Sequence, residues 1–179
     1  MKRIKIILSI LVLAVIVTSC NKPSLQKYLV DSQEKTGFIT LDLPSSLLQL
    51  KSDDVSDDVK ETLKSIKKIN LVGLPYKGNE EAYEKEKTEL KTILEGTDYK
   101  SLMRMNHKGM QMKLYYTGSG DAIDEVIAFG YNEKMGVGVA RILGDNMNPA
   151  QIVKMMQNVK FDTDGVNLKG FNAAFEASK

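Results

Sequence analysis

The chain has no tryptophan, one cysteine, one histidine and four prolines in 179 residues, and almost no net charge, with 25 Lys and Arg against 23 Asp and Glu. Each scarcity closes a class of chemistry. One Cys cannot form an intrachain disulfide, so a packed core rather than cross-links must hold the fold. One Cys and one His fall short of the three or four ligands of a Cys/His zinc site. A Ser/His/Asp triad would have to use His107, which the sequence puts at a hairpin tip, where burial and an orienting carboxylate are not expected. The chain is 42% apolar and 27% charged, enough apolar surface to offset the entropy of ordering a backbone, and its length suits one domain.

The formal charge of +2 is concentrated at the start. Lys2, Arg3 and Lys5 precede an apolar run from Ile6 to Val17, broken only by Ser9 and closed by Thr18 and Ser19. That order is the order of a signal peptide, and a run of 12 residues is too short for a permanent span, which takes about 20. Val17-Thr18-Ser19-Cys20 resembles the lipobox of bacterial lipoproteins. The resemblance implies cleavage before Cys20, a diacylglycerol thioether on its sulfur, and acylation of the new N-terminus by a chain such as palmitate. Cys20 is then the lipidation site, the covalent lipid is the sole cofactor expected, and the membrane is the first partner. Two or more acyl chains make such an anchor stable where one would be marginal. Removing residues 1–19 takes away three basic and no acidic side chains, leaving 22 against 23 in a mature chain of 160 residues, net charge −1. Nucleic acid is excluded as a partner, since counterion release needs clustered Lys and Arg. Asn21-Lys22-Pro23-Ser24 carries neither the Asp of an inner-membrane retention signal nor the acidic cluster of a surface-export signal. The expected location is the cell envelope, as an outer-membrane lipoprotein facing the periplasm.

The mature chain divides into a lipidated tether or short helix over 20–37, a single α+β domain over 38–160 and a polar C-terminal tail over 161–179, whose docking points are Phe171 and Phe175. Phe38 to Leu43 alternates apolar and polar residues and stops at Pro44, as a strand does. Asp53, Asp54, Asp57 and Asp58 open a stripe of Val55, Val59, Leu63 and Ile66, with Lys64, Lys67 and Lys68 at its end. This predicts a helix of about three turns ordered with its dipole. Ile69 to Leu74 reads as a buried strand. Asn79 can cap a helix carrying Tyr83, Leu90, Ile93 and Leu94, with Gly96 past its end.

The second half reads as two hairpins. Tyr99 to Met105 and Met110 to Thr117 alternate around the turn Asn106-His107-Lys108-Gly109, and Val126 to Tyr131 and Met135 to Leu143 form a second pair. Gly136 and Gly138 share a strand face where a helix could approach closely or the sheet could bend. Asn148-Pro149 is a cap followed by Pro at the first helical position, opening a helix with Ile152 and Met155. Strands in a meander and helices apart from them define an α+β fold, an antiparallel or mixed sheet with helices on one face.

Four methionines form the one constellation with distinctive chemistry. A four-residue turn pairs Met105 with Met110 and Met103 with Met112, placing four thioethers on one face, and soft thioethers select Cu(I). The competing reading is core packing, because Leu114 and Tyr116 continue the same face. The Asp53–Asp58 cluster lacks the Gly of a calcium loop and reads as a solvated helix start, and Asp162-Thr163-Asp164-Gly165 reads as a turn. Thr117-Gly118-Ser119-Gly120-Asp121 lacks the Lys of a phosphate loop and reads as a connection between hairpins. No pair of carboxylates stands out for acid–base work.

Tyr99-Lys100-Ser101-Leu102-Met103-Arg104, Gln111 to Tyr116, Ile123 to Ile127, Leu143-Gly144-Asp145 leading into Ile152, the stretch Leu63 to Leu74 and the lipobox together resemble the small Bacteroidetes lipoproteins carrying domain-of-unknown-function family 4252. The resemblance implies fold, envelope location and an association with envelope stress, and it transfers no catalytic residue. The expected function is therefore a non-enzymatic, lipid-anchored module that binds an envelope protein or component, with a Cu(I)-binding lipoprotein as the alternative.

Overall fold

The computed structural model describes residues 23–161 apart from 53, 97, 108, 120 and 121. Cys20 with its lipobox, and the tail with Phe171, Phe175 and Asp162 to Gly165, lie outside the described residues. The chain begins with helix α1 (Leu25–Asp31), capped by the Ser24 side chain, which accepts from the Lys27 amide. Strand β1 (Ile39–Pro44), a 3₁₀ turn (Ser45–Leu47) and the short β2 (Leu48–Leu50) follow. Helix α2 (Asp57–Ser65), strand β3 (Ile66–Pro75) and helix α3 (Glu80–Leu94) complete the first half. The second half is the meander β4 (Lys100–His107), β5 (Met110–Ser119), β6 (Ala122–Asn132) and β7 (Gly136–Met147), closed by helix α4 (Pro149–Asn158) and β8 (Val159–Phe161).

Six strands form one sheet in the order β1-β3-β7-β6-β5-β4, every neighbour antiparallel, and β2 pairs β8 in a small second ribbon. The architecture is α+β with a strand meander, as the alternation in the second half predicts. Because side chains alternate across a strand, Val72 and Leu74 of β3 face one way and Ile69 and Leu71 the other. Helices lie on both sides. α1 and α3 pack Leu25, Tyr28, Leu29, Tyr83, Leu90 and Leu94 on Val72, Leu74, Ile127, Phe129, Val137 and Val139. α2 and α4 pack Val59, Ile152 and Met155 on the opposite face, against Leu43, Ile66, Ile69, Val126 and Met147. A second helical pair is thus added to the single helical layer expected. Each large apolar side chain buried in these clusters contributes about 1.5–3 kcal/mol relative to exposure.

Local corrections follow from pairing. Of the tether and the short helix considered for 20–37, the described part forms the helix, and its Leu25, Tyr28 and Leu29 belong to the core. The acidic-to-basic helix is shorter than three turns would require at its basic end: Ile66 caps α2 with extended backbone and is the first residue of β3, where it pairs Gly144, so Lys67 and Lys68 are strand residues. Asn79 sits at the N-cap of α3, its carbonyl accepting from the Tyr83 amide (2.8 Å), but its side chain does not cap the helix: the side-chain amide donates to the Pro75 carbonyl (3.1 Å), and the Glu80 carboxylate accepts from the Gly78 amide (3.0 Å). Asn148 does cap α4, its Oδ1 accepting from the Ala150 and Gln151 amides at 2.9 and 3.3 Å.

Candidate functional site

On the face carrying α2 and α4, the register lines up three rows of residues across the sheet. The lowest row, Leu43, Ile69, Ile142, Val126 and Tyr116, belongs to the cluster under α2 and α4. The next is Leu41, Leu71, Ala140, Ala128, Leu114 and Met103. The third is Ile39, Gly73, Gly138, Gly130, Met112 and Met105. Neither upper row contributes a buried residue to that cluster. Their small side chains leave a trough of about 200 Å³, floored by Gly73, Gly138, Gly130, Ala128 and Ala140, with Met110 and Met112 along one side.

The glycines of the floor are there for different reasons. A Cβ on Gly138 would lie 2.8 Å from the Val72 carbonyl oxygen, so the close approach of β3 and β7 requires glycine. A Cβ on Gly130 would meet nothing closer than the Met110 sulfur at 3.5 Å, an ordinary contact. Glycine weakens a strand interior, and no crowding within the sheet accounts for it at 130.

The four methionines are brought to one face, but in another register from the one expected. Met105 pairs Met112, Met103 pairs Leu114 and His107 pairs Met110. β4 runs to His107 and β5 starts at Met110, with Gly109 before it at φ +81°, so Asn106 and His107 extend β4 instead of forming the loop. A left-handed Gly at the second turn position suits a two-residue hairpin, whose twist matches the strands better than a longer loop. Met105 is 42% exposed, and Met103, Met110 and Met112 are half-buried. Leu114, two residues along from Met112 and paired with Met103, is buried, whereas Met105 and Met112 in the next row are not.

The opposite face holds a polar cavity of about 230 Å³ beside α1, lined in part by Gln26, Gln33, Thr40, Asp42, Lys68 and Arg141. Arg141 donates from Nε to Glu125 (2.6 Å) and from Nη1 to Gln26 (2.5 Å), and Thr117 donates to the other Glu125 oxygen (3.4 Å). Both charged side chains of the pair are at least 86% buried. Asp42 accepts from Lys68 (2.9 Å) and from the Asn70 amide. Burial pushes the Asp42 carboxyl up, but these donors outweigh it and hold it below the usual carboxylate range. A second buried acid, Glu86 on α3, accepts from Lys35 at 3.1 Å, and Lys35 also lies over the Tyr28 and Phe38 rings. Burial, reinforced by Glu86, raises the Tyr28 hydroxyl well above its ordinary value. Each charge has its partner, so these groups read as structural. None was singled out from sequence, although Asn70 and Arg141 are polar interruptions of apolar strand runs, a signal that was legible.

Asp57 and Asp58 open α2 as a solvated start, Asp58 accepting from the Gln151 amide at 3.2 Å. Among the described residues no three His, Cys, Asp or Glu are placed to hold a metal ion. Thr117 to Ser119 end β5 in a bulge, where Gly118 at φ +107° would bring a Cβ within 2.7 Å of the Ala122 carbonyl oxygen.

Fold and face together define a class of small α+β domain: an antiparallel six-stranded sheet, helices on both sides and, among the described residues, half of one face apolar and uncovered. The sequence profile of the domain of unknown function DUF4252 matches residues 28–155, and the chain belongs to that family. No curated protein and no solved structure matches the chain.

Proposed function

We propose that the chain is a non-enzymatic, lipid-anchored binding domain of the cell envelope, attached through Cys20 to the outer membrane on its periplasmic side, that takes a protein partner on the open half of its sheet. The observation that carries this reading is the trough itself. An apolar sheet face with a floor of glycine and alanine and an adaptable methionine edge has the character of a contact surface, since methionine re-packs against varied shapes. The lipobox supports the anchor, and the envelope-stress association stays with the resemblance that suggested it. Two measurements test the reading. Labelled palmitate should enter the wild-type chain and not Cys20→Ala. A photo-crosslinking residue at Met112 should capture a discrete partner in intact envelopes, whereas one at the exposed Lys85 on α3 should not; capture from neither position rejects the binding face.

The alternative, a Cu(I) site, is favoured by one observation: Met103, Met105, Met110 and Met112 share a sheet face, and among the described residues none of them joins the cluster under α2 and α4. Competition for Cu(I) against a chromogenic chelator separates the readings. Uptake abolished by Met105→Leu with Met112→Leu supports the metal site, and no uptake excludes it.

A further inference from the structure

We infer that the outer edge of β4 is a docking strand for an extended segment of a protein partner in which apolar and acidic side chains alternate. This rests on the binding reading above and deepens it, naming how the partner is held and what chemistry it brings.

Three observations carry it. The first is the backbone. β4 ends the six-stranded sheet, and among the described residues no strand pairs its outer side. Such an edge presents N–H and C=O groups that a further strand can join. The opposite edge, β1, is blunted, since it ends in Pro44, which has no N–H to give. On β4 the one irregularity lies between Ser101 and Met103, so Met103 to His107 run as a regular ladder against β5. The second is the alternation of side chains along that ladder. Met103 and Met105 carry the two upper rows of the trough face out to the rim, where Met105 is exposed. A strand added about 4.8 Å further out continues those rows with its own apolar side chains. Arg104 lies on the other face, paired with Lys113. The third is charge. In a chain of nearly balanced charge, Tyr99 to Gly120 contains Lys100, Arg104, Lys108 and Lys113 and no Asp or Glu. Lys113 is matched by Glu95 at 2.6 Å, and Lys100 donates to the Gly118 carbonyl at 2.8 Å. Arg104 is exposed and has no ion-pair partner among the described residues. A carboxylate on the incoming strand opposite Arg104 supplies one, whereas a second copy of this edge brings only further cations, and like charges across a strand pair repel.

Fluorescence anisotropy tests the inference on the full chain in neutral detergent micelles. The probes are two dye-labelled peptides, one alternating valine with glutamate and one alternating valine with lysine, so that only the sign of the charge differs. The wild type should bind the glutamate peptide several-fold more tightly than the lysine peptide. Arg104→Glu changes an exposed side chain, should leave far-UV circular dichroism unchanged, and should reverse the order of the two peptides. A glutamate peptide N-methylated at each of its central residues keeps its charge, loses the backbone donors of both its edges, and should bind several-fold more weakly. Absence of binding, equal affinity for the two charges, a preference that Arg104→Glu leaves unchanged, or undiminished binding of the N-methylated peptide overturns the inference. If Arg104→Glu does not fold, the comparison of the three peptides on the wild type decides. The two readings fail separately. Peptide binding of the expected kind with no crosslink at Met112 counts against the envelope partner, and a Met112 crosslink without the peptide preference counts against the β4 edge.

Discussion

Gly130 and Gly138 face each other across β6 and β7 in the same row, and replacing each by alanine should give opposite results. At Gly138 the new methyl carbon would lie 2.8 Å from the Val72 carbonyl oxygen and 3.3 Å from the Gly73 Cα, both backbone atoms of a paired strand that cannot step aside. Forcing β3 and β7 apart is an overpacking strain of about 1–3 kcal/mol. At Gly130 the nearest atoms are the Met110 sulfur at 3.5 Å and the Gln111 oxygen and Met112 Cγ at 3.8 Å, so nothing must shift. Backbone entropy removed from the unfolded chain then raises stability by about 0.4–1 kcal/mol. The two variants should differ by about 2 kcal/mol, which at an m-value of about 1–3 kcal/mol/M separates their urea midpoints by about 1 M. Far-UV circular dichroism is the probe of choice, because the chain has no Trp to report by fluorescence. A neutral Gly138→Ala, or two shifts of the same sign, would refute the distinction between a glycine the sheet requires and one it does not.

Arg141→Met should cost about 3–5 kcal/mol in urea unfolding because it strands the buried Glu125 carboxylate, and adding Glu125→Leu should recover most of that loss; equal losses in the single and double variants would show that the charge is not what matters. Asp42 has a folded pKa below its unfolded value, so its contribution is present above the unfolded carboxylate range and is lost as pH falls through the lower folded value. Asp42→Asn should accordingly lower stability near pH 6 and match the wild type in strong acid, and an unchanged gap at all pH values would contradict the assignment. Asn148→Ala should cost about 1 kcal/mol through the lost cap of α4, measurable by the same unfolding curve, with Asn148→Asp nearly neutral.

Caps and stripes were the most legible part of the sequence. Asn148-Pro149 opens α4 where the cap rule puts it, and Tyr83, Leu90, Ile93 and Leu94 are the buried stripe of α3. Ile66 was misleading because its spacing from Val59 and Leu63 is helical, while its pairing with Gly144 draws it into β3; tertiary pairing overrides local period. The hairpin register was ambiguous in principle, since Asn106 to Gly109 suits either loop length and two residues of slip keep every Met on the same face. The helices on both sides were foreshadowed in Ile69 to Leu74, whose near-continuous apolar run is the mark of a strand covered on both faces. The glycine row could not be read, because it exists only once β3, β7 and β6 are neighbours, and the Glu125–Arg141 pair, which spans the expected β6–β7 hairpin, needed the register of that hairpin. Three-residue strands such as β2 and β8 carry too little pattern to register at all.

Placement of α1 gives the molecule a direction. Leu25 is five positions after Cys20, at most about 17 Å of extended chain, and it is locked into the core on the layer opposite the trough. With the proposed lipid on Cys20, the domain hangs on a short leash by its α1 side and cannot roll far. The methionine side then looks outward from the bilayer, presented to arrivals from solution instead of to neighbouring lipid.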